Sequence, residues 1–383
     1  MKFAGFLIKN GLLSFASFLE AVILSFYEKL SRPKINSNKS ILIIQLGQIG
    51  DFIITKALFH SLKKRYGESF KLSVLIDPIN EKLAKNDPYI DAVYFYNSPK
   101  YSRKLEKKYS FPELELKKNR FDVAIWLRGD LITFLWLLRN RIPLKSITKF
   151  SNPLRWSWLS FIMRRRTKGN FLHYIQQLNL LNEGVEDAYN EMQLQYISLK
   201  HSSYQKIVFL HVSAGNGIRV WPEDNYSAVC RMLVELDRNI SIRLIGSEID
   251  NDVAERIKNI AVKRIGSENR IINLCGQVDL AELDKILAGG DLFIGFDSGP
   301  MHIAALCGIP VIALMGPQSP QLFRPWGSQC IKIIYKDFYC SPCWQFKCYF
   351  VDSGAGACIL AIAPSEVVNE ARKILLGKEY YGG

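Results

Sequence analysis

The segment DLFIGFDSGPMHIAALCGIPVIALMGP, residues 291–317, constrains the fold of this chain more than any other. Four of the five residues from Leu292 to Phe296 are apolar (Leu292, Phe293, Ile294 and Phe296), the pattern of a strand buried on both faces. The run breaks at Asp297-Ser298-Gly299-Pro300, and an Ala-rich stretch from Met301 to Cys307 follows. A second apolar run then spans Pro310 to Met315. Strand, polar turn, helix and strand make a βαβ unit. Its turn lies at the carboxyl end of a strand and the amino end of a helix. Open α/β sheets bind ligands there, and unpaired backbone N–H groups attract phosphate.

The same alternation runs through most of the chain. Buried-strand runs are read at residues 41–46, 71–77, 91–96 and 121–127, with helical patterns between them. Residues 130–195 read as helical and basic. From Lys206 the pattern restarts, with strands in KIVFLHVSA, SIRLIGS, RIINLCG, DLFIGF and PVIALMG. Strands alternating with helices imply doubly wound parallel sheets, here two Rossmann-like domains. The expected organisation is an N-terminal helix and linker over 1–40, a first domain over 41–198, a second over 199–363 and a C-terminal helix over 364–383. That last helix is expected to start with Ser365 as N-cap, to end at Gly377 and to pack back toward the N-terminal domain.

Charge points to an anionic partner. The net charge is +14, and residues 100–168 hold 18 basic against 5 acidic residues, so +13 is concentrated there. A solvated basic face would account for it, as would nucleic acid, phospholipid or a phosphorylated glycan. Within this stretch LRWSWLSFIMRRRTKG mixes Trp156, Trp158 and Phe161 with Arg155, Arg164, Arg165, Arg166 and Lys168. Such a mixture suits single-stranded nucleic acid or lipid headgroups. Residues 5–30 are strongly apolar, but Lys9, Glu20 and Glu28 leave no uncharged run of the roughly 18 residues a spanning helix needs. Leu12, Phe15, Leu19, Val22, Phe26 and Leu30 form one helical stripe. It fits an amphipathic helix on a membrane surface or a helix packed on the domain.

Five places carry candidate chemistry. In ILIIQLGQIGD, Gly47 and Gly50 permit a tight strand-to-helix turn, although the G-x-G-x-x-G dinucleotide fingerprint is absent. Asp51 at the start of that helix stabilises the helix dipole, or takes a proton from a sugar hydroxyl. In HVSAGNGIRVWPEDNYSAV, Gly215 and Gly217 loosen a loop from which Arg219 can reach a phosphate. LIGSEIDN places Glu248 and Asp250 after a strand, where an acid accepts ribose hydroxyls or is merely solvated. His302 follows the Asp297 turn. Finally Cys340, Cys343, Cys348 and Cys358, spaced C-x2-C-x4-C-x9-C, suit either a structural zinc or free or redox-paired thiols.

Taken in order, these segments resemble the ADP-heptose:lipopolysaccharide heptosyltransferase family, glycosyltransferase family 9. The likeness rests on ILIIQLGQIGDFIITKALFHSLKKRYG, HYIQQLNLLNEGV, IRVWPEDNYSAV, FIGFDSGPMHIAALCGIPVIALMGPQSP and the cysteine-bearing tail, and covers about residues 40 to 375. The resemblance implies a GT-B fold, two Rossmann-like domains facing across a cleft. It also implies inverting, metal-independent transfer of a heptose or related sugar from a nucleotide sugar, ADP-heptose above all, to a lipopolysaccharide-core or similar lipid-linked glycan. Asp51 would be the general base. Arg219, where the family more often has lysine, would neutralise the donor diphosphate. Asp297, Ser298, Gly299 and His302 would form the diphosphate and sugar turn, Asp250 would hold the ribose and Gly215 would line the pocket. No cofactor is expected for catalysis, and zinc only in a structural role. The expected partners are the donor, an anionic lipid-linked acceptor and a membrane surface, at the inner face of the cytoplasmic membrane, with no nucleic acid. The rivals are a single-stranded nucleic-acid-binding protein with a zinc module, which leaves Asp51 without purpose, and an epimerase of similar fold, which needs no large basic acceptor side.

Overall fold

The computed structural model describes residues 22–31, 40–67, 69–99, 109–146, 173–197, 205–213, 220–265, 268–327, 330–338, 340–343, 348 and 356–377. The chain forms two compact units, Met1–Ala188 and Tyr189–Gly383, where the sequence suggested a division at 198/199.

The first unit is built on a five-stranded parallel sheet: β1 (Ser40–Gln45), β2 (Lys71–Ile76), β3 (Ala92–Phe95), β4 (Val123–Arg128) and β5 (Leu144–Ser146), in the order β3-β2-β1-β4-β5. Ile41, Leu42, Ile43 and Ile44 of the central strand are all fully buried. This follows from crossover helices covering both faces of a parallel sheet. The chain order reverses between β1 and β4, so the ligand crevice of such a sheet lies beyond their carboxyl ends. The β1–β4 register slips after Ile44 and brings Gln45 opposite Arg128. An irregularity of this kind re-aims side chains at the end of a strand. The short edge strand β5 falls where only helix was expected.

Residues 22–31 form helix α1. Leu24 enters the first domain's core, and the Tyr27 hydroxyl donates to the Ile142 carbonyl at 3.0 Å. The stripe of Val22, Phe26 and Leu30 faces outward. Packing on the domain is thus seen for the face that carries Leu24 and Tyr27, while the stripe of Val22, Phe26 and Leu30 stays apolar and exposed. Among the described residues no helix is long and apolar enough to cross a membrane.

Helix α2 (Ile49–Tyr66) follows β1. Asp51 lies in its first turn and Lys63, Lys64 and Arg65 in its last, the distribution that complements the helix dipole. Gly67 ends it at φ +80°, a left-handed position that disfavours a side chain.

The second unit has six parallel strands: β6 (Lys206–His211), β7 (Ile240–Ile245), β8 (Ile271–Asn273), β9 (Leu292–Phe296), β10 (Val311–Met315) and β11 (Ile331–Tyr335), ordered β11-β10-β9-β6-β7-β8. Numbered from β6 this is the 3-2-1-4-5-6 order of a dinucleotide-type sheet, with its switch point between β6 and β9. The edge strand β11 was not read from the sequence. Trp221 anchors the core edge-to-face against Tyr226 and Phe296, and its indole N–H donates to the Ile359 carbonyl at 3.1 Å.

The C-terminal helix, Pro364–Leu375, was expected to return toward the first domain. It buries Val367, Val368, Ala371 and Ile374 in the core of the second. Its N-cap is Ala363 rather than Ser365, because Pro364 takes the first helical position, where its fixed φ fits and its missing N–H costs nothing. The helix closes at Leu375, and Gly377 at φ +77° lies just beyond its C-cap.

Candidate active site

In the first domain the site is assembled from the ends of β1 and β4. After β1 the chain turns at Gly47. A Cβ there would lie 2.6 Å from Asp51 Oδ2 and 2.8 Å from Gln45 Oε1, so only glycine leaves room for both side chains. The turn is held at both backbone groups: the Gly47 N–H donates to Gln45 Oε1 at 3.1 Å, and Asn80 Nδ2 donates to the Gly47 carbonyl at 3.0 Å. Asp51 is fixed in turn. Its Oδ2 accepts the Gln48 N–H at 3.3 Å, and its Oδ1 lies 3.2 Å from Arg128 Nη2. Both members of this ion pair keep 21% side-chain exposure, so the carboxylate is rigidly placed and still reachable.

Arg128 stacks over the Tyr174 ring, its guanidinium carbon 5.5 Å from the centroid. Tyr174 starts a helix, Tyr174–Leu181, capped at His173: the His173 ring accepts the Ile175 N–H, and Gln176 Oε1 accepts the His173 N–H. The Tyr174 hydroxyl accepts from Gln45 Nε2 at 3.0 Å, and burial pushes its pKa up to about 12. It is a neutral support at neutral pH. The HYIQQ segment thus builds the floor beneath Asp51. Sequence reasoning quoted that segment without a role for Tyr174, and it missed Arg128 altogether. The one signal for Arg128 was a charge ending the apolar run of β4.

In the second domain the sites come from β6, β7 and β9. Ser298 holds the N-cap position of the helix Gly299–Leu306, but its side chain makes no capping hydrogen bond. Its hydroxyl donates to the Phe296 carbonyl at 2.9 Å and meets His211 Nδ1 at 3.2 Å. Because that proton is spent on Phe296, His211 donates from Nδ1. Its Nε2 is left facing Ser213 Oγ at 3.5 Å. Burial lowers the pKa of His211 to about 4, against a small upward pull from Asp250. His211 is therefore a neutral strut that turns Ser298 away from the helix, a role not read from the sequence. His302 is buried, with Nε2 3.7 Å from Asp297 Oδ1.

Asp250 stands at the end of a short 3-10 turn after β7, where its Oδ2 accepts both the Ser247 N–H at 2.7 Å and the Ser247 hydroxyl at 2.6 Å. Glu248, first in the same turn, is exposed. Gly276, at φ +72°, packs against the Glu248 backbone so closely that a Cβ would come within 2.9 Å of its Cα.

Gly215 and Arg219 lie outside the described residues, as do Arg155, Arg164, Arg165, Arg166 and Lys168. The cysteines Cys340, Cys343, Cys348 and Cys358 interact electrostatically: burial first, then the charges of the other three, push the Cys358 thiol up to about 12. Among the described residues no group of three or more His, Cys, Asp or Glu is arranged to hold a metal ion.

Each sheet ends in a polar turn at its switch point, Asp51 paired with Arg128 in the first domain and Asp297-Ser298 at a helix start in the second. The comparison with known families decides the matter, because residues 113–352 match the model of glycosyltransferase family 9 (heptosyltransferase). The chain belongs to this family. It is a glycosyltransferase, and its two parallel α/β domains are of the GT-B class. Relatives in family 9 include the lipooligosaccharide heptosyltransferase 2 of Campylobacter jejuni, 31% identical over 277 residues, covering 68% of this chain and 82% of the relative. The lipopolysaccharide heptosyltransferase 3 of Escherichia coli is 25% identical over 308 residues, covering 76% of this chain and 87% of that one. Among solved structures, a family 9 glycosyltransferase from Veillonella parvula superposes with TM-score 0.63 at 17% identity, covering 90% of this chain and 99% of that chain. The E. coli ADP-heptose lps heptosyltransferase II gives 0.58 at 18%, covering 89% and 99%.

Proposed function

We propose that the protein moves a heptose or closely related sugar from a nucleotide sugar, ADP-heptose, to a lipopolysaccharide-core or similar lipid-linked glycan, at the inner face of the cytoplasmic membrane. The observation that carries this reading is the Asp51 carboxylate, fixed by Arg128 and the Gly47 turn and still open to solvent. The names of the relatives support the sugar and the acceptor class.

The chemistry is direct displacement. Asp51 takes the proton of the acceptor hydroxyl as its oxygen bonds to the anomeric carbon. The bond from that carbon to the diphosphate breaks, the nucleotide leaves with the electron pair, and the configuration inverts. Arg128 holds the carboxylate in one orientation, which lowers the reorganisation needed in the transition state. The charge gathering on the diphosphate is met by Arg219 and by the N–H groups at the start of the helix Gly299–Leu306, with Asp297 and His302 shaping the turn and Gly215 lining it. That arrangement assigns a metal no step. At the ribose, the exposed Glu248 stands beside Asp250, whose Oδ2 already accepts two donors from Ser247.

The test is incubation of the enzyme with ADP-heptose and a lipid-free inner-core saccharide in the presence of a chelator. Nucleotide release coupled to a product of inverted anomeric configuration is expected. Retained configuration, or donor turnover only on adding a divalent metal, contradicts the reading.

A further inference from the structure

We propose that helix α1 and the helix α3 (Leu131–Arg139) together form one face that seats the first domain on an anionic lipid surface, an inference resting on the lipid-linked acceptor proposed above. Val22, Phe26 and Leu30 are 48%, 68% and 69% exposed, and Leu131, Leu135 and Leu138 are 70%, 53% and 38% exposed. Their spacing puts each trio on a single helical stripe. The outward side of a surface helix is ordinarily polar. Here both outward sides are apolar, although both helices already bury a second apolar face, through Leu24 on α1 and through Phe134 and Leu137 on α3.

The two helices are neighbours. Tyr27 of α1 meets Phe134 of α3 edge-to-face with ring centroids 5.9 Å apart. The Leu144 N–H at β5 donates to Ser31 Oγ at 3.2 Å, which fixes the end of α1. Tyr27 adjoins Phe26 and Phe134 adjoins Leu135 in sequence, so each trio borders this seam. Contiguous exposed apolar surface of that kind marks an interaction site.

Charge selects the occupant. Lys29, Arg139 and Arg141 are exposed on these segments, and Glu28 is the one acid within residues 22–31 and 131–141. The chain leaves β5 into residues 147–168, which hold six basic and no acidic residues. A second copy of this chain would oppose the same positive charge to itself. An anionic bilayer takes up both the apolar stripes and the basic rim.

The experiment is flotation of the full chain with vesicles of phosphatidylglycerol and phosphatidylethanolamine. It compares wild type, Phe26→Glu/Leu30→Glu, Leu131→Glu/Leu135→Glu and, as a control away from this face, Leu194→Glu, itself 63% exposed. Wild type and Leu194→Glu are expected to float. Each double variant is expected to lose about tenfold or more in partitioning, and all four should turn over the lipid-free saccharide equally. Equal melting temperatures show that the changes leave the fold intact, and if one double variant does not fold the other decides. Flotation of both double variants like wild type overturns the proposal, as does a wild type that does not float. A wild-type dimer that the variants break while still floating assigns the face to a second copy and overturns it too. Absence of transfer to the saccharide, with flotation following the expected pattern, would sink the proposed function and leave the face standing.

Discussion

Arg128 Nη2 sits 3.2 Å from Asp51 Oδ1, joining the end of β4 to the first turn of the helix after β1. Asp51 and Arg128 lie on opposite sides of the point where the chain order of the first sheet reverses, and the register slip after Ile44 helps to aim them. If the arginine acts through the carboxylate, Arg128→Gln will lower kcat by about tenfold to a hundredfold and leave the donor KM nearly unchanged. Arg128→Lys will restore only part, because lysine lacks the planar fork and the stack on Tyr174. Steady-state kinetics with donor and acceptor varied separately checks this. An unchanged kcat contradicts it.

Gly47 gives an independent handle on the same carboxylate. Alanine there would place a methyl 2.6 Å from Asp51 Oδ2, and the end of a side chain gives way more easily than the backbone. Gly47→Ala is expected to fold, with a melting temperature a few degrees lower, and to lose roughly a hundredfold in kcat through misplacement of the base. Kinetics beside a thermal melt separates this from simple unfolding.

At the turn after β7, Glu248→Gln is expected to raise the donor KM about tenfold without altering the melt, roughly the loss of one charge-assisted hydrogen bond. Asp250→Asn should instead cost stability, about 1 kcal/mol from the loosened Ser247 turn, with a smaller change in KM. Isothermal titration with ADP and a denaturant melt for each variant give the comparison.

His211 predicts a pH dependence of stability. The folded site keeps its pKa near 4 by burial, whereas the unfolded chain has an ordinary histidine near about 6.5. Above that value both states are neutral and the residue adds no slope. As pH falls from about 6.5 toward 4, the unfolded state takes up a proton that the folded state refuses, and stability declines. His211→Gln should flatten this part of the profile, which denaturant melts between pH 8 and pH 5 will show.

Asp91 titrates lower down. Its burial would raise its pKa, but the Leu72 N–H at 2.7 Å and Lys63 Nζ at 2.8 Å outweigh that and hold it below the usual carboxylate range. A depressed folded-state pKa means a contribution that is complete above about 4 and lost as pH falls through the folded value. Asp91→Asn should cost about 1–3 kcal/mol at pH 7. The gap between variant and wild type should narrow toward pH 3.

Much of this architecture was legible because parallel strands buried on both faces write themselves as apolar runs, as in Ile41–Ile44 and Leu292–Phe296. The edge strands β5 and β11 were not, since Leu144–Ser146 is three residues long and Ile331–Tyr335 is interrupted by Lys332 and only partly buried. Asp51 stood out through its glycine turn. Arg128, Tyr174 and His211 did not, because their roles depend on which strand ends the sheet order brings together, and a linear pattern does not encode that order. The Ser365 cap failed for a local reason: a proline one residue earlier claims the first helical position.

The account rests on Asp51 as the base, and Asp51→Asn tests that most directly, since the amide keeps the size of the side chain and cannot take the proton. Single-turnover transfer from ADP-heptose should fall about a thousandfold, while ADP binds the variant as it binds wild type. Transfer at an undiminished rate, with ADP affinity equal, would contradict the account.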